Sequence, residues 1–299
     1  MKGGNQDRSS EGRETSRERP IGIIGASRGT GLQCVLYAAK LKIHCRAIVR
    51  NPQESEELVN SYLPVSFRQY VQYCKADVTS PKTLSKAVNG CRGLIFAATA
   101  TAGWRLPIYD NKDTPPHIDF EGSVAAATAA AAEGVARFVL ISSLAITRPS
   151  HPMHLARNSL MGRIMDWKLL GEQGVSKVYE AVSKSSTNKM SYTIVRPGYL
   201  NDDPPGGPTT LLVDTGDNLS GSISRADLAA LCVEAIFRPD AHNLTLEVVN
   251  GKQGGNYPVC NSYDQVFHSL SSGYLPVSAP GCLHTSGIRG MCGVQDLTC

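Results

Sequence analysis

The sequence of 299 residues predicts an α/β protein whose single main domain is built on a doubly wound parallel sheet. Short apolar runs alternate with helical stretches from Pro20 onward, which is typical of parallel strands joined by crossover helices on both faces. A glycine-rich turn at residues 25–31 separates the first apolar run from the first helical stretch. The composition, with 41% hydrophobic and 19% charged residues, is that of a globular domain large enough to bury a core.

Seven apolar runs are predicted as strands, because each is short and ends at a turn or at a helical stretch. In chain order these runs are residues 21–25, 43–49, 67–75, 94–98, 137–143, 192–196 and 244–249. Helices are expected between them at residues 29–40, 52–62, 81–89, 118–133 and 224–237. The alanine run in the fourth of these stretches is a strong helix former. A short further helix is expected at residues 263–270.

The two ends of the chain differ in composition from the main domain, which is expected at residues 20–250. Residues 1–19 mix four arginines with acidic residues and predict a disordered leader. They hold no apolar run of a secretory signal, so the cytoplasm is the default location, and a plastid location is left open. From residue 251 onward glycine, proline and serine rise, which predicts a loosely structured extension at 251–299 or, as the alternative, a lid over the site.

Charge and cysteine spacing exclude several classes of protein. The net charge of +4 is spread along the chain without a nucleic-acid motif, so no nucleic-acid partner is predicted. The longest apolar runs fall short of the roughly 18 residues of a membrane helix, so no transmembrane segment is predicted. The nine cysteines form no CxxC pair, and His151 and His154 lack a third ligand, which predicts no metal site and a reducing compartment. Cys34 and Cys45 are expected to pack as small hydrophobes.

The glycine-rich turn is the strongest motif in the chain. A side chain at its glycines would block the tight turn and the close approach of the backbone to a pyrophosphate, while the following helix offers N–H groups to the phosphates. The turn therefore predicts a dinucleotide cofactor. The residues expected to hold it are Gly25, Ser27, Arg28, Gly29, Thr30 and Gly31.

The end of the second predicted strand indicates which dinucleotide binds. Proteins that prefer NAD place an acidic residue there to hold the ribose 2′-hydroxyl, whereas this chain has Arg50 and no acidic residue before Glu54. A guanidinium suits a 2′-phosphate, and Arg28 can add a second one. The sequence therefore predicts NADP(H) in preference to NAD(H).

Five blocks in order resemble the short-chain dehydrogenase/reductase superfamily: residues 25–31, 77–78, 138–143, 192–198 and 223–227. More narrowly, the chain resembles the atypical, NmrA-like or NAD(P)H-binding branch, which includes plant and cyanobacterial plastid-type proteins. The resemblance spans roughly residues 21–250 and implies a Rossmann-like fold that binds NADP. The glycine spacing GxxxGxG departs from the GxxGxxG common in this branch, which changes the expected phosphate contacts.

The same resemblance implies where further residues lie around the cofactor. Asp77 and Val78 would lie beside the adenine, and Ala97 and Ala98 beside the ribose. The segment Arg196, Pro197 and Gly198 would lie beside the nicotinamide end.

The catalytic residues of the main group are incomplete in this chain. Main-group members use a serine and a Tyr-x-x-x-Lys helix, in which the tyrosine passes a proton to the substrate carbonyl. Ser142 and Ser143 occupy the expected strand end, but Tyr179 precedes Lys184 by five residues, which leaves the two side chains about 140° apart on a helix. The usual Tyr/Lys pair is therefore absent.

The atypical branch often places a lysine one turn before a glutamate on this helix, and Lys168 and Glu172 fit that pattern. They are expected either to hold the nicotinamide ribose or to form an exposed ion pair. Lys177 and Glu180 are a rival pair, and residues 184–189 indicate a surface insertion. The residues named as catalytic candidates are Ser143, Tyr179 and Lys168.

The sequence thus predicts an NADP(H)-dependent reductase or oxidoreductase that transfers hydride to or from a small organic substrate, with the cofactor supplying the chemistry. The incomplete catalytic set also suits an alternative from a second class, a regulator or assembly factor that senses NADP(H) without turnover and for which a protein partner is possible. A third hypothesis is an epimerase that keeps its cofactor tightly bound. The sequence does not identify the substrate.

Overall fold

The expected α/β fold is confirmed, since helices cover both faces of one large sheet. The residues described by the computed structural model are 19–101, 113–185, 190–254 and 257–271. The leader before Arg19, residues 186–189 of the expected insertion and residues 272–299 of the expected extension lie outside the described residues.

Ten strands form within the described part of the chain. They are β1 (Ile21–Ile24), β2 (Cys45–Val49), β3 (Val71–Lys75), β4 (Gly93–Phe96), β5 (Arg137–Ile141), β6 (Ser191–Pro197), β7 (Tyr199–Asn201), β8 (Leu211–Asp214), β9 (Ser222–Ser224) and β10 (Leu244–Asn250). Eight form one sheet in the order β3-β2-β1-β4-β5-β6-β10-β8, parallel throughout except for β8, which runs antiparallel to β10. β7 and β9 form a separate parallel pair. The order reverses between β1 and β4, which opens a crevice at the carboxyl ends of the strands.

The helices connect these strands and close both faces of the sheet. They are α1 (Gly29–Lys40), α2 (Pro52–Tyr62), α3 (Val65–Arg68), α4 (Leu84–Val88), α5 (Ser123–Ala132), α6 (Pro152–Leu160), α7 (Ile164–Ser185), α8 (Arg225–Ala235) and α9 (Tyr263–Ser271). α1 packs against α8 on one face, and α5 packs against α7 on the other. None of the described helices is both long and apolar enough to cross a bilayer.

The helix expected at residues 118–133 begins differently from the prediction. Its first part is a π-helical segment, Pro116–Gly122, and α5 follows directly from it. Such segments are rare and frequently lie at functional sites. This one places the carboxylate of Asp119 in a fully buried position beside β4.

Buried thiols belong to the core, as the sequence predicts. Cys34 on α1 and Cys45 on β2 are both fully buried among aliphatic side chains. Burial raises the pKa of the Cys45 thiol to about 12, so the group stays protonated and unreactive at neutral pH.

The short helix expected at residues 263–270 is present as α9 within residues 257–271, and it packs onto the domain instead of belonging to a loose extension. Within that stretch α9 buries Val266 and Phe267 completely, in the same apolar cluster as α1 and α8. The composition of the segment hides this packing, because a nine-residue helix presents few apolar side chains to count. The main domain therefore continues at least as far as Ser271.

Candidate functional site

A cleft of about 460 Å³ lies at the carboxyl ends of the strands, where the strand order reverses. Its volume falls within the range of small-molecule and cofactor sites. Predicted cofactor residues from four separate strand ends line it. They are Gly25, Ser27, Arg28, Gly29, Thr30, Arg50, Asp77, Val78, Ala97 and Ala98.

The glycine-rich turn between β1 and α1 is shaped by backbone contacts at two of its glycines. Gly25 has a φ of +80°, and a Cβ atom there would lie 2.7 Å from the amide nitrogen of Ala98. A Cβ atom on Gly31 would overlap with the carbonyl oxygen of Gly25. These two glycines let α1 start close against the sheet.

The turn also leaves space for a phosphate group. The nearest atom to a Cβ built on Gly29 is Arg225 Nε, at 3.8 Å, so this position faces the open cleft. Arg28 precedes α1 in an extended conformation, and no side chain caps the helix. The uncapped helix N-terminus can therefore donate its N–H groups to a phosphate, and the site fits a dinucleotide.

Arginines concentrate at the end of the cleft formed by β1 and β2. Arg50 follows β2 with 63% of its side chain exposed, and its guanidinium lies 3.7 Å from the carboxylate of Asp113. Arg28 and Arg225 line the same cleft, and Arg225 pairs with Asp202 at 2.8 Å. We refer to Arg28, Arg50 and Arg225 as the arginine end of the cleft.

Short side chains after β3 and β4 form the middle of the cleft. The carboxylate of Asp77 accepts hydrogen bonds from the amide and hydroxyl groups of Thr79, at 2.9 and 2.8 Å, and fixes the turn after β3. Val78, Ala97 and Ala98 line the cleft beside it. All four positions that the family resemblance assigns to adenine and ribose therefore lie on the cleft.

Lys168, on α7, lines the cleft and is held by a buried carboxylate. Its Nζ lies 2.8 Å from Asp119 Oδ1, and only 11% of the lysine side chain is exposed. Asp119 also accepts hydrogen bonds from the Thr99 hydroxyl at 2.7 Å and the Ala100 amide at 3.1 Å. The network ties α7 to the π-helical segment and to the end of β4.

Glu172 has a different partner, so of the two alternatives for Lys168 and Glu172 the exposed ion pair is wrong. Arg196 donates two hydrogen bonds to the Glu172 carboxylate, from Nε at 3.1 Å and from Nη2 at 2.7 Å. Burial by itself would lower the pKa of Arg196, but the hydrogen bonds and charge of Glu172 raise it above its ordinary value. This buried ion pair joins α7 to β6.

The segment expected beside the nicotinamide is not brought to the cleft. Arg196 is turned toward Glu172, and none of Arg196, Pro197 and Gly198 is among the described residues that line the cleft. Pro197 pairs with Val248 in the sheet, and the Gly198 amide donates to the carbonyl of Val248 at 3.0 Å. Their contacts are those of a sheet connection.

Ser142, rather than Ser143, faces the end of the cleft beyond β5. The Ser142 hydroxyl is buried, lines the cleft and has no hydrogen-bond partner among the described residues. The Ser143 hydroxyl is occupied, because it donates to the carbonyl of Leu144 at 3.3 Å and accepts from Arg157 Nη1 at 3.0 Å. Arg157 lies 5.5 Å above the ring of Tyr199 and lines the cleft too.

Tyr179 lies in the core and does not reach the cleft. Its side chain is fully buried against Phe138, with ring centroids 5.6 Å apart, and its hydroxyl donates to the carbonyl of Val135 at 3.2 Å. Burial raises the pKa of the phenol far above its ordinary value. A phenol held there has no access to a substrate, which corrects its predicted role as a catalytic residue.

The loop after Ser143 is held from both sides. The buried carboxylate of Asp217 accepts hydrogen bonds from the Ala145 amide at 2.7 Å and from the amide and hydroxyl of Thr147 at 3.0 and 2.7 Å. On the other side His154 Nδ1 donates to the Ala145 carbonyl at 3.0 Å. His151 accepts from the Met153 amide and caps α6, so both loop histidines have structural contacts. In the described residues no three metal-binding side chains come together.

Comparison with known proteins agrees with this geometry. A family model described as NAD(P)H-binding matches residues 25–239. An uncharacterized chloroplastic protein of Arabidopsis thaliana is 29% identical over 269 residues, which cover 87% of this chain and 85% of that protein. Sanguinarine reductase of Eschscholzia californica is 28% identical over 275 residues, which cover 81% of this chain and 92% of that enzyme.

Solved structures share the fold. An oxidoreductase from Lactococcus lactis superposes with a TM-score of 0.62 at 17% identity, over 85% of this chain and 98% of its own. At that identity the similarity shows the fold alone, whereas the family match covers most of the chain together with the glycine-rich turn. The chain belongs to the NAD(P)H-binding family, which fits the expected resemblance to the atypical, NmrA-like branch of the short-chain dehydrogenases/reductases.

Proposed function

We propose that the protein is an NADPH-dependent reductase of a small organic substrate. The observation that carries this proposal is the course of the cleft, from the arginine end beside β2 to the unpaired hydroxyl of Ser142 beyond β5. The strand order places β1 and β4 between β2 and β5, so the two ends lie roughly 14 Å apart, about the length of an extended dinucleotide. The similarity to sanguinarine reductase supports a reductase.

NADP(H) is favoured over NAD(H) by the charges at the arginine end. Two exposed guanidinium groups, of Arg28 and Arg50, can reach a 2′-phosphate, and Arg50 has only a loose ion pair with Asp113 at 3.7 Å to give up. In proteins that prefer NAD, an acidic residue at the end of this strand holds the ribose 2′-hydroxyl. Here β2 is followed by Arg50 and by Asn51, which caps α2.

The chain's own groups bind and orient, while NADPH, when bound, supplies the hydride. The N-terminus of α1 and the glycine-rich turn hold the phosphates. Lys168 stays within reach of the nicotinamide half of the cleft, and Asp119 fixes its position. Ser142 Oγ can donate a hydrogen bond to the substrate oxygen that gains charge, and Met161 and Ile164 cover that end with apolar side chains.

Replacing Arg50 by alanine tests the cofactor assignment. Loss of one charged hydrogen-bonding group to the 2′-phosphate is expected to weaken NADPH binding about 10- to 100-fold and to leave NADH binding nearly unchanged. Calorimetric titrations of the wild type and the variant with both nucleotides measure this difference. Arg163→Ala, which removes an exposed arginine away from the arginine end, is the matched control. An equal loss of NADPH and NADH affinity in Arg50→Ala would contradict the assignment.

A second candidate function is favoured by the position of Tyr179. Because that phenol is buried in the core, the described lining of the cleft offers no tyrosine as a proton donor, which suits a protein that senses NADP(H) without turnover. The NADPH absorbance, monitored in the presence of a panel of quinones, enones, aldehydes and iminium compounds, distinguishes a reductase from a sensor. If the protein binds NADPH but none of these compounds is reduced by it, the sensor is favoured.

A further inference from the structure

We propose that the substrate of this cleft is an organic anion, whose carboxylate pairs with Arg157 and whose apolar body lies against Met161 and Ile164. The proposal rests on the proposed function, since it names the class of substrate for the same cleft. Three observations support it, and each concerns the end of the cleft beyond β5.

The first observation is that Arg157 is a half-buried cation without a carboxylate. Arg50 pairs with Asp113 at 3.7 Å and Arg225 with Asp202 at 2.8 Å, whereas Arg28 is exposed at the other end of the cleft. Arg157 has a hydroxyl on Nη1, from Ser143 at 3.0 Å, and an aromatic ring at 5.5 Å. Among the described residues no acidic side chain lies within ion-pair distance of it. Holding a partly buried cation with only neutral contacts costs free energy, and a negatively charged ligand would offset that cost.

The second observation is the unpaired hydroxyl of Ser142. Its oxygen is shielded from bulk solvent, lines the cleft and has no hydrogen-bond partner among the described residues. The great majority of buried hydroxyl groups in proteins have such a partner. Ser142 directly precedes Ser143, on which Arg157 is anchored. The unpaired hydroxyl and the unpaired cation therefore belong to the same end of the cleft, and a ligand with two polar groups can satisfy both.

The third observation is the charge and polarity of the remaining lining. Lys168 is neutralised by Asp119 at 2.8 Å, so Arg157 gives this end a net positive charge. Apolar side chains of this end are those of Ile141, Met161 and Ile164. Such a lining selects a hydrophobic molecule with a single negative charge, and it disfavours a cation, because the Asp119 carboxylate beside this end is already paired with Lys168.

The test uses 2-naphthoate and its neutral isostere 2-naphthamide as probes, titrated calorimetrically into the full-length protein saturated with NADP⁺. We expect naphthoate to bind the wild type about tenfold or more tightly than naphthamide, as one charged hydrogen-bonded pair would give. Arg157→Gln is expected to remove this preference, while Arg157→Lys retains part of it. Lys177→Gln, which removes an exposed positive charge on α7 outside the cleft, is the matched control and is expected to change neither affinity.

Three results would overturn the proposal. The first is equal binding of naphthoate and naphthamide by the wild type, and the second is an unchanged preference for naphthoate in Arg157→Gln. A loss of NADP⁺ affinity in Arg157→Gln would also overturn it, because Arg157 would then belong to the cofactor site. If the wild type binds no NADP⁺, the proposed function fails, and the same titrations without nucleotide still decide on Arg157. Should Arg157→Gln not fold, Tyr199→Leu, which removes the supporting ring at an exposed position, is expected to reduce the preference.

Discussion

Replacing Glu172 by glutamine is expected to lower the free energy of unfolding by about 3 kcal/mol, at the lower end of the range for breaking a buried ion pair. Glu172 and Arg196 are both largely buried and share two hydrogen bonds, at 3.1 and 2.7 Å. Glutamine keeps one acceptor but leaves the guanidinium charge without its partner. Asp217 and Glu247 lie near enough to Arg196 to offset part of the loss. Urea denaturation followed by circular dichroism measures the change.

Glu180→Gln is the matched control for this experiment. Glu180 lies two turns further along α7 and is exposed, and among the described residues its side chain has only a long hydrogen bond from Tyr192, at 3.4 Å. Its substitution is expected to change stability by less than about 0.5 kcal/mol. If Glu172→Gln were as stable as this control, the ion pair would not hold α7 to β6 in solution. The double variant Glu172→Leu/Arg196→Met is expected to recover most of the loss, since it leaves no buried charge.

Replacing Phe267 by alanine is expected to destabilise the whole domain by about 3–5 kcal/mol, the usual cost of truncating a buried aromatic side chain. Phe267 is fully buried in the apolar cluster that also contains α1 and α8, and α9 contacts β8 at the edge of the sheet. The resulting cavity would therefore lie within the main core, and unfolding should remain a single transition. Thermal and urea denaturation of the full-length chain test both points.

The neighbouring substitution His268→Ala provides the comparison, because the His268 side chain is mostly exposed and contacts only Asp240 among the described residues, at 3.2 Å. His268→Ala is expected to leave the free energy of unfolding nearly unchanged. A wild-type midpoint for Phe267→Ala would show that the segment after residue 251 is a dispensable extension, as its composition indicates. A second, low-temperature transition would show that α9 unfolds separately from the sheet.

The fold could be predicted because it depends on a local pattern. Apolar runs and helical stretches alternate, and α1 and α2 begin and end where the sequence indicates, since Gly29 and Pro52 mark their first residues. β7 and β9 were not predicted, because each has three residues and pairs only with the other among the described strands. The expected strand at 67–75 starts at Val71, because α3 takes up the residues before it.

The two ends of the cleft differ in how much the sequence revealed. The arginine end was predictable, because the glycine-rich turn and Arg50 lie close together in sequence and follow known spacing. The other end combines Ser142, Arg157 and the pair of Lys168 with Asp119, which come from separate elements and meet through tertiary packing. Strand position could not tell Ser142 from Ser143, because both residues follow the last residue of β5.

The buried carboxylate of Asp217 orders the loop after Ser143 before any ligand binds. Backbone that becomes ordered when a ligand binds reduces affinity by the conformational entropy it loses. Here the amides of Ala145 and Thr147 are already bonded to the buried carboxylate, so that entropy is lost when the chain folds. In deuterated water these two amides should exchange as slowly as the strands beside them, and the loop that follows Ser142 and Ser143 should need no further ordering when a ligand binds.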